Sequence, residues 1–341
     1  MTSTELQAPR AGAAEEPEAR TLGSSDLLIH IGLRKSGTNW LRHNLFGRDD
    51  RGFCVPGDMT IPGPVRGRAF KQLFMDSKDR LVPDEEFDAE ALRKQLDPLV
   101  VPAGKRAVFT AGRLGGHPFS NGFDRGQICN RIKQVFPNAR ILIVIREQRS
   151  MILSSYIEHL ECGGGNSLKR YIDGKSDTSS PTLTYHFFKY DRLVRLYQSA
   201  FGAENVLMLP MEMIGAAPQD YIDRICKFVN IDSPENMPFQ KKANERKTYF
   251  PYVALRRIVP LIRSSRINGY SPSLLGRKRG RKFQRKMLNA MSKVVPRWPD
   301  ERAKKRLQQQ IEDLTKDTYV ASNRELEKLI GLDLGAFGYR V

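Results

Sequence analysis

The sequence predicts an α/β protein with a central parallel sheet and helices on both faces. Three observations predict it. Residues 140–145, Arg-Ile-Leu-Ile-Val-Ile, are apolar without alternation, as a parallel strand covered on both faces requires. Further short apolar runs at 27–31, 107–110 and 206–209 alternate with stretches of helical periodicity. Several of these runs end in loops rich in glycine or charge, where open α/β sheets place reactive groups.

In chain order, the run 27–31 passes through Gly32-Leu33-Arg34-Lys35-Ser36-Gly37-Thr38-Asn39-Trp40 into a helix with Leu41, Leu45 and Phe46 on one face. Residues 47–68 carry many Gly, Pro, Asp and Arg and read as an irregular connection. Residues 84–96 form an amphipathic helix between Pro83 and Pro98. The strand 107–110 leads into Ala111-Gly112-Arg113-Leu114-Gly115-Gly116-His117-Pro118. Ile128, Ile132 and Val135 mark a helix over 124–135, and Pro137-Asn138 turns the chain into the strand 140–145. Arg146 stands at its carboxyl end, followed by a helix over 149–159 with Ser154 two turns in.

Gly163-Gly164-Gly165 reads as a flexible joint, and 185–201 as a helix with a core-facing aromatic stripe, stopped by Gly202. After the strand 206–209, Glu212 organises the strand end, and Ile222, Ile225, Cys226 and Val229 recur at helical spacing. Residues 251–262 look helical, 264–285 are basic and rich in Gly and Ser, and 299–329 form a long charged helix or pair.

Composition bounds the class. The chain has 341 residues, 40% of them hydrophobic, and a mean hydropathy of −0.47, which suits a globular protein with one large domain. Residues 1–25 are rich in Ala, Glu, Pro and Ser with no apolar signal core, so they read as a disordered tail before a domain over 26–341. The four cysteines are scattered without a Cys-x-x-Cys pair, which suggests neither a disulfide framework nor a zinc site; a cytoplasmic setting follows by default. Residues 241–310 hold 21 lysines and arginines against three acids, and the rest of the chain is balanced at 35 of each. Such a field draws an anionic acceptor or the inner face of an anionic membrane; a solvated basic surface accounts for it equally well. No specific nucleic-acid motif accompanies it.

The loop 32–40 has the parts of a phosphate cradle: a helix N-terminus with unpaired N–H groups, glycines, a mobile lysine and hydroxyl donors. The order is not that of a nucleoside-triphosphatase loop, G-x-x-x-x-G-K-[ST], because Lys35 precedes Gly37 by two positions. Arg34-Lys35-Ser36-Gly37-Thr38-Asn39-Trp40 resembles instead the K-x-G-T-x-W loop of sulfotransferases. Those enzymes use 3′-phosphoadenosine 5′-phosphosulfate (PAPS). The pair Arg146 and Ser154 resembles their strand-end arginine and helix serine, which hold the donor's 3′-phosphate. Gln148 and Arg149 depart from the R-x-P-x-x-R seen in many members. Phe228-Val229-Asn230-Ile231 and the C-terminal stretch from Ser322 to Gly331, then Leu332-Asp333-Leu334 and Gly338-Tyr339, are also similar to the family, whereas the basic segment is not.

The resemblance implies a P-loop-like three-layer fold and PAPS as co-substrate, with Arg34, Lys35, Ser36, Gly37, Thr38, Asn39, Trp40, Arg146 and Ser154 as donor-binding residues. Lys35 would neutralise the bridging oxygen, and Trp40 would stack on adenine. His117 is the candidate general base, after the T-H-x-P turn of cytosolic members; Gly112 stands where carbohydrate sulfotransferases have a glutamate. Arg277-Lys278-Arg279-Gly280 could close over the 3′-phosphate. A sulfuryl group carries less charge than a phosphoryl group, so no metal is demanded. The expected function is sulfuryl transfer to a hydroxyl or amine of an acceptor, a glycan by preference. The alternative is a basic polyanion- or membrane-binding protein on a degenerate nucleotide fold.

Overall fold

The computed structural model describes residues 20–22, 27–55, 83–112, 114–116, 118–174, 183–235, 248–265 and 273–341. Five strands, β1 (Leu27–Gly32), β2 (Phe53–Cys54), β3 (Arg106–Ala111), β4 (Arg140–Ile145) and β5 (Val206–Pro210), form one parallel sheet in the order β2-β3-β1-β4-β5. The helices are α1 (Thr38–Leu41, continued by a π-turn, Arg42–Phe46), α2 (Ala89–Leu96), α3 (Arg125–Val135), α4 (Gln148–Glu161), α5 (Leu168–Ile172), α6 (Tyr190–Phe201) and α7 (Met213–Ala216). They continue with α8 (Pro218–Phe228), α9 (Phe250–Leu255), α10 (Val259–Ile262), α11 (Gly276–Val294), α12 (Arg297–Thr315) and α13 (Val320–Ile330). The chain leaves β1 towards β2 and leaves β4 the opposite way, towards β5. The adjacent pair β1/β4 is therefore the topological switch point, where open α/β sheets open a crevice at their carboxyl ends.

The two-residue period of a strand sends alternate side chains to opposite faces. Ile29, Ile31, Phe109, Ile141 and Ile143 meet Ile128 and Ile132 of α3, Ile152 and Tyr156 of α4, Val194 and Tyr197 of α6, and Ile311 of α12. Leu28, Val108, Leu142, Val144 and Leu209 meet Leu41, Leu45 and Phe46 on one side and Ile222, Ile225 and Val229 on the other. Both faces are thus covered, as the unbroken apolar character of 140–145 predicts. The three-layer fold stands as expected.

Several local expectations are corrected. The irregular stretch after α1 hides β2, a two-residue edge strand too short for any periodicity to register. Arg20 and Thr21 pair with Val101 and Val100 in a small antiparallel ladder, so folded chain begins before residue 26. The expected helix 251–262 is two helices, α9 and α10. The Gly/Ser-rich stretch becomes helical from Gly276 onwards and takes in Arg277–Gly280. A Cβ on Gly280 would lie 2.7 Å from Arg263 Cβ, so the missing side chain lets α11 approach the end of α10. The triple glycine is a contact surface, not a joint: a Cβ on Gly164 would fall 2.1 Å from His159 Nε2, and one on Gly165 2.7 Å from Pro260 Cγ.

Two histidines lie inside this core. His30, on β1, bonds through Nδ1 with Thr110 Oγ1 at 2.8 Å, and burial lowers its pKa to about 3. Burial lowers that of His159, on α4, to about 4. Both are neutral when folded and take up a proton when unfolded. Their contribution is therefore complete above pH 6.5 and is lost as the pH falls towards those values. Urea unfolding should show a loss of about 2 kcal/mol per histidine between pH 7 and 5. His30→Gln should remove about half of that pH dependence, and a slope unchanged by it would contradict the assignment.

Candidate active site

The four central strands end level with one another. Gly32 stands opposite Val144, Ile31 opposite Ala111, and Ile145 opposite Pro210. The carboxyl edge therefore brings together the loop after Gly32, the loop after Ala111, Arg146, and Met211-Glu212. A Cβ on Gly32 would lie 2.7 Å from Thr38 Oγ1 and 2.9 Å from Ala111 O, so only glycine lets the first loop fold back this tightly.

Within that loop Lys35 has φ 72° and Gly37 φ 84°. Left-handed backbone is uncommon for a lysine and is held here by the loop's own bonds. Ser36 supplies them. Its hydroxyl donates to Leu33 O at 2.7 Å, its N–H reaches the same oxygen at 3.2 Å, and the side chain is fully buried. Both donors of Ser36 are thus used in shaping the turn. The first-turn N–H groups of Thr38 and Asn39 have no intrahelical acceptor, and Thr38 Oγ1 is buried with no hydrogen-bond partner among the described residues. A loop with donors at a helix start and an unmet hydroxyl suits an oxyanion.

Arg146 reaches back across the β1/β4 boundary, its Nη1 donating to Lys35 O at 3.3 Å. The backbone around it is clamped. Tyr190 Oη donates to Arg146 O at 2.8 Å, and the next N–H, from Glu147, goes to Glu212 Oε1 at 3.0 Å. Tyr339 Oη donates to Glu212 Oε2 at 3.3 Å. Burial raises the Glu212 pKa, against the opposing pull of these bonds and of Arg146. Its role is structural, as its place in the sequence suggests. Glu147 caps α4, accepting from the N–H groups of Arg149 and Ser150 at 2.9 Å.

Along α4, Ser150, Ser154 and Glu158 are one turn apart and share a face. Glu158 pairs with Arg34 of the first loop, which sets the Ser154 face of α4 towards that loop. Arg34 is therefore engaged with a carboxylate. Arg149 bonds Glu147 Oε1 at 2.9 Å, Glu312 Oε2 at 2.7 Å and Gly338 O at 3.1 Å, so it ties α4 to the C-terminal segment. Gln148, the other departure from the family pattern, donates to buried Asn323 at 2.6 Å. Trp40 is half-buried and meets the Tyr221 ring edge-on, with centroids 6.2 Å apart.

The loop after β3 is drawn in beside the first: Gly115 N donates to Gly32 O at 3.4 Å, Tyr197 Oη to Leu114 O at 3.2 Å, and Arg125 Nε to Gly115 O at 2.7 Å. His117 itself lies outside the described residues. Sequence reasoning missed Tyr190, Glu158, Arg125 and Tyr197 as supports. Tyr190 and Tyr197 read as core stripe, and only their hydroxyls reach the site.

Residues 125–235 match the model of the sulfotransferase family. This third of the chain contains Arg146, Ser154 and Glu212 but not the Lys35 loop. No curated protein matches the chain. Among solved structures it is similar to a sulfotransferase from Alicyclobacillus acidocaldarius, at 19% identity over 61% of this chain and 81% of that one, TM-score 0.43. It is also similar to the sulfotransferase domain of the Synechococcus PCC 7002 olefin synthase, at 13% identity, 86% and 100% coverage, TM-score 0.36. A mouse sulfotransferase, SULT7A1, complexed with PAP, aligns at 13% identity over 62% and 60%, TM-score 0.31. Likeness this remote carries no argument about the site.

Gly32→Ala should cost about 1–3 kcal/mol in denaturant unfolding, through overpacking against Thr38 and Ala111. Gly126→Ala, where nothing lies within 4 Å of the new Cβ, should be neutral or stabilising. Equal effects would contradict the close fit of the loop.

Proposed function

We propose that the protein transfers a sulfuryl group from PAPS to a hydroxyl or amine of an acceptor, a glycan by preference. The observation that carries this reading is the 3.3 Å contact between Arg146 Nη1 and Lys35 O. It holds the first loop and the end of β4, distant in sequence, against each other at the switch point. A donor with phosphate groups at both ends of its ribose calls for two such segments held together.

The residues divide accordingly. The first-turn N–H groups of Thr38 and Asn39, with the unmet Thr38 hydroxyl and the Gly37 backbone, would hold the 5′-phosphosulfate; Lys35 would neutralise the bridging oxygen. Arg146 and Ser154 would hold the 3′-phosphate, the planar guanidinium suiting a dianion better than a lysine would. Trp40 would contact adenine. Arg34 and Ser36 act at one remove, Arg34 by bracing the loop on Glu158 and Ser36 by fixing its turn.

In the reaction the acceptor oxygen or nitrogen forms a bond to sulfur as the bridging S–O bond breaks. The electron pair leaves with the 5′-phosphate, and the acceptor's proton passes to a base, for which His117 is our candidate. Lys35 matters most as charge develops on the leaving oxygen.

Lys35→Ala should lower sulfuryl transfer from labelled PAPS by about 10² to 10³ while leaving thermal unfolding unchanged. Near-normal turnover would contradict the loop's role. Arg146→Ala and Ser154→Ala should raise the KM for PAPS without weakening an analogue that lacks the 3′-phosphate. Equal weakening of both nucleotides would make the pair purely structural.

A further inference from the structure

Within the basic segment, α11 carries eight lysines and arginines and no acid over its 19 residues. Its inward face is Gly280, Gln284 and Leu288, at spacings of four. Gln284 Nε2 donates to Leu160 O at 3.3 Å and Glu161 O at 3.4 Å, which fastens α11 to the end of the helix that bears Ser154. The outward side is not uniformly charged. Phe283, Ala290 and Val294 fall on one stripe along the helix, bordering the side where Met287 packs against Leu255, Val259 and Leu288.

Phe283 is 46% exposed and Val294 81%, while Met287 is half-buried. Arg279, Lys282, Lys286 and Lys293, all exposed, lie along that stripe. At the start of the helix Leu274 is 85% exposed, and its N–H donates to the carbonyl of Leu261, itself 52% exposed.

We infer that this face of α11 docks on an anionic lipid bilayer, lying in the interface with its apolar stripe inserted. The charges alone would serve a soluble polyanion equally well. A sulfated or carboxylated polysaccharide can stack a sugar ring on Phe283 but offers little to the aliphatic Val294 and Leu274, whereas a bilayer surface accepts cations at its headgroups and apolar side chains beneath them. A lone exposed leucine is ordinary; a stripe at helical spacing edged by one sign of charge is not. Among the described residues no helix is long and apolar enough to cross a membrane, so the contact is peripheral. The inference is independent of the donor and acceptor assignments above.

The test is co-flotation of the full chain with vesicles of phosphatidylcholine alone or mixed with phosphatidylglycerol, at low and high salt. Binding should require phosphatidylglycerol. Each cation near the surface contributes about fivefold in partitioning, so Lys282→Gln/Lys286→Gln/Lys293→Gln should weaken binding about a hundredfold. Phe283→Ser/Val294→Ser should weaken it by about tenfold or more and abolish the part that survives high salt. All five positions are exposed or edge positions, and unchanged thermal melts would confirm folding. Absence of flotation with anionic vesicles overturns the proposal. So does flotation indifferent to Phe283→Ser/Val294→Ser, which would make the patch a general polyanion surface of the kind a polysaccharide uses.

Discussion

The site depends on the parallel register of β1 and β4. With Gly32 opposite Val144, Arg34 and Arg146 each lie two residues beyond the same level of the sheet. A slip of one residue would turn every side chain of β4 to the wrong face and carry Arg146 away from the loop. The register is held by cores on both faces, so the stability of the whole domain secures the position of one guanidinium.

The remaining contacts refine that placement. The Arg34–Glu158 pair is one-third exposed on the arginine side, where ion pairs contribute little to stability, about 1 kcal/mol or less. Its weight is geometric, because it fixes the face of α4 that meets the loop. Tyr190 and Glu212 act on the backbone on either side of the Arg146–Glu147 peptide, and the C-terminal segment reaches the same place through Tyr339. The end of the chain thus supports a strand end nearly two hundred residues earlier.

Much of this was legible in the sequence. The unbroken apolar run 140–145 gave away a two-sided parallel strand, and the four longer strands were read within a residue or two. Arg146 falls at the strand end and Ser154 within the helix, as the sequence pattern suggests, but their joint role as a phosphate pair came from the family resemblance and not from the spacing. What escaped reading had physical reasons. β2 is too short to show a period, and the triple glycine looks the same whether it permits motion or close approach; only the neighbouring His159 and Pro260 decide. Arg34 and Ser36 look like ligands in a loop motif, yet Arg34 has a partner, Glu158, that tertiary geometry brings to it, and the Ser36 hydroxyl is taken up by Leu33 O within the turn itself. The helix through 276–294 was obscured by glycines at 276 and 280, one at its start and the other at a helix contact.

On the proposed reading the Lys35 loop and Arg146 form a single site for a nucleotide with phosphates at both the 5′ and 3′ positions. Titration calorimetry of the unmodified protein with adenosine 3′,5′-bisphosphate and with adenosine 5′-monophosphate tests it directly. The bisphosphate should bind at least about tenfold more tightly, since one charge-assisted contact is worth roughly 1.5–3 kcal/mol. Equal affinity for the two nucleotides, or no binding of either, would contradict it.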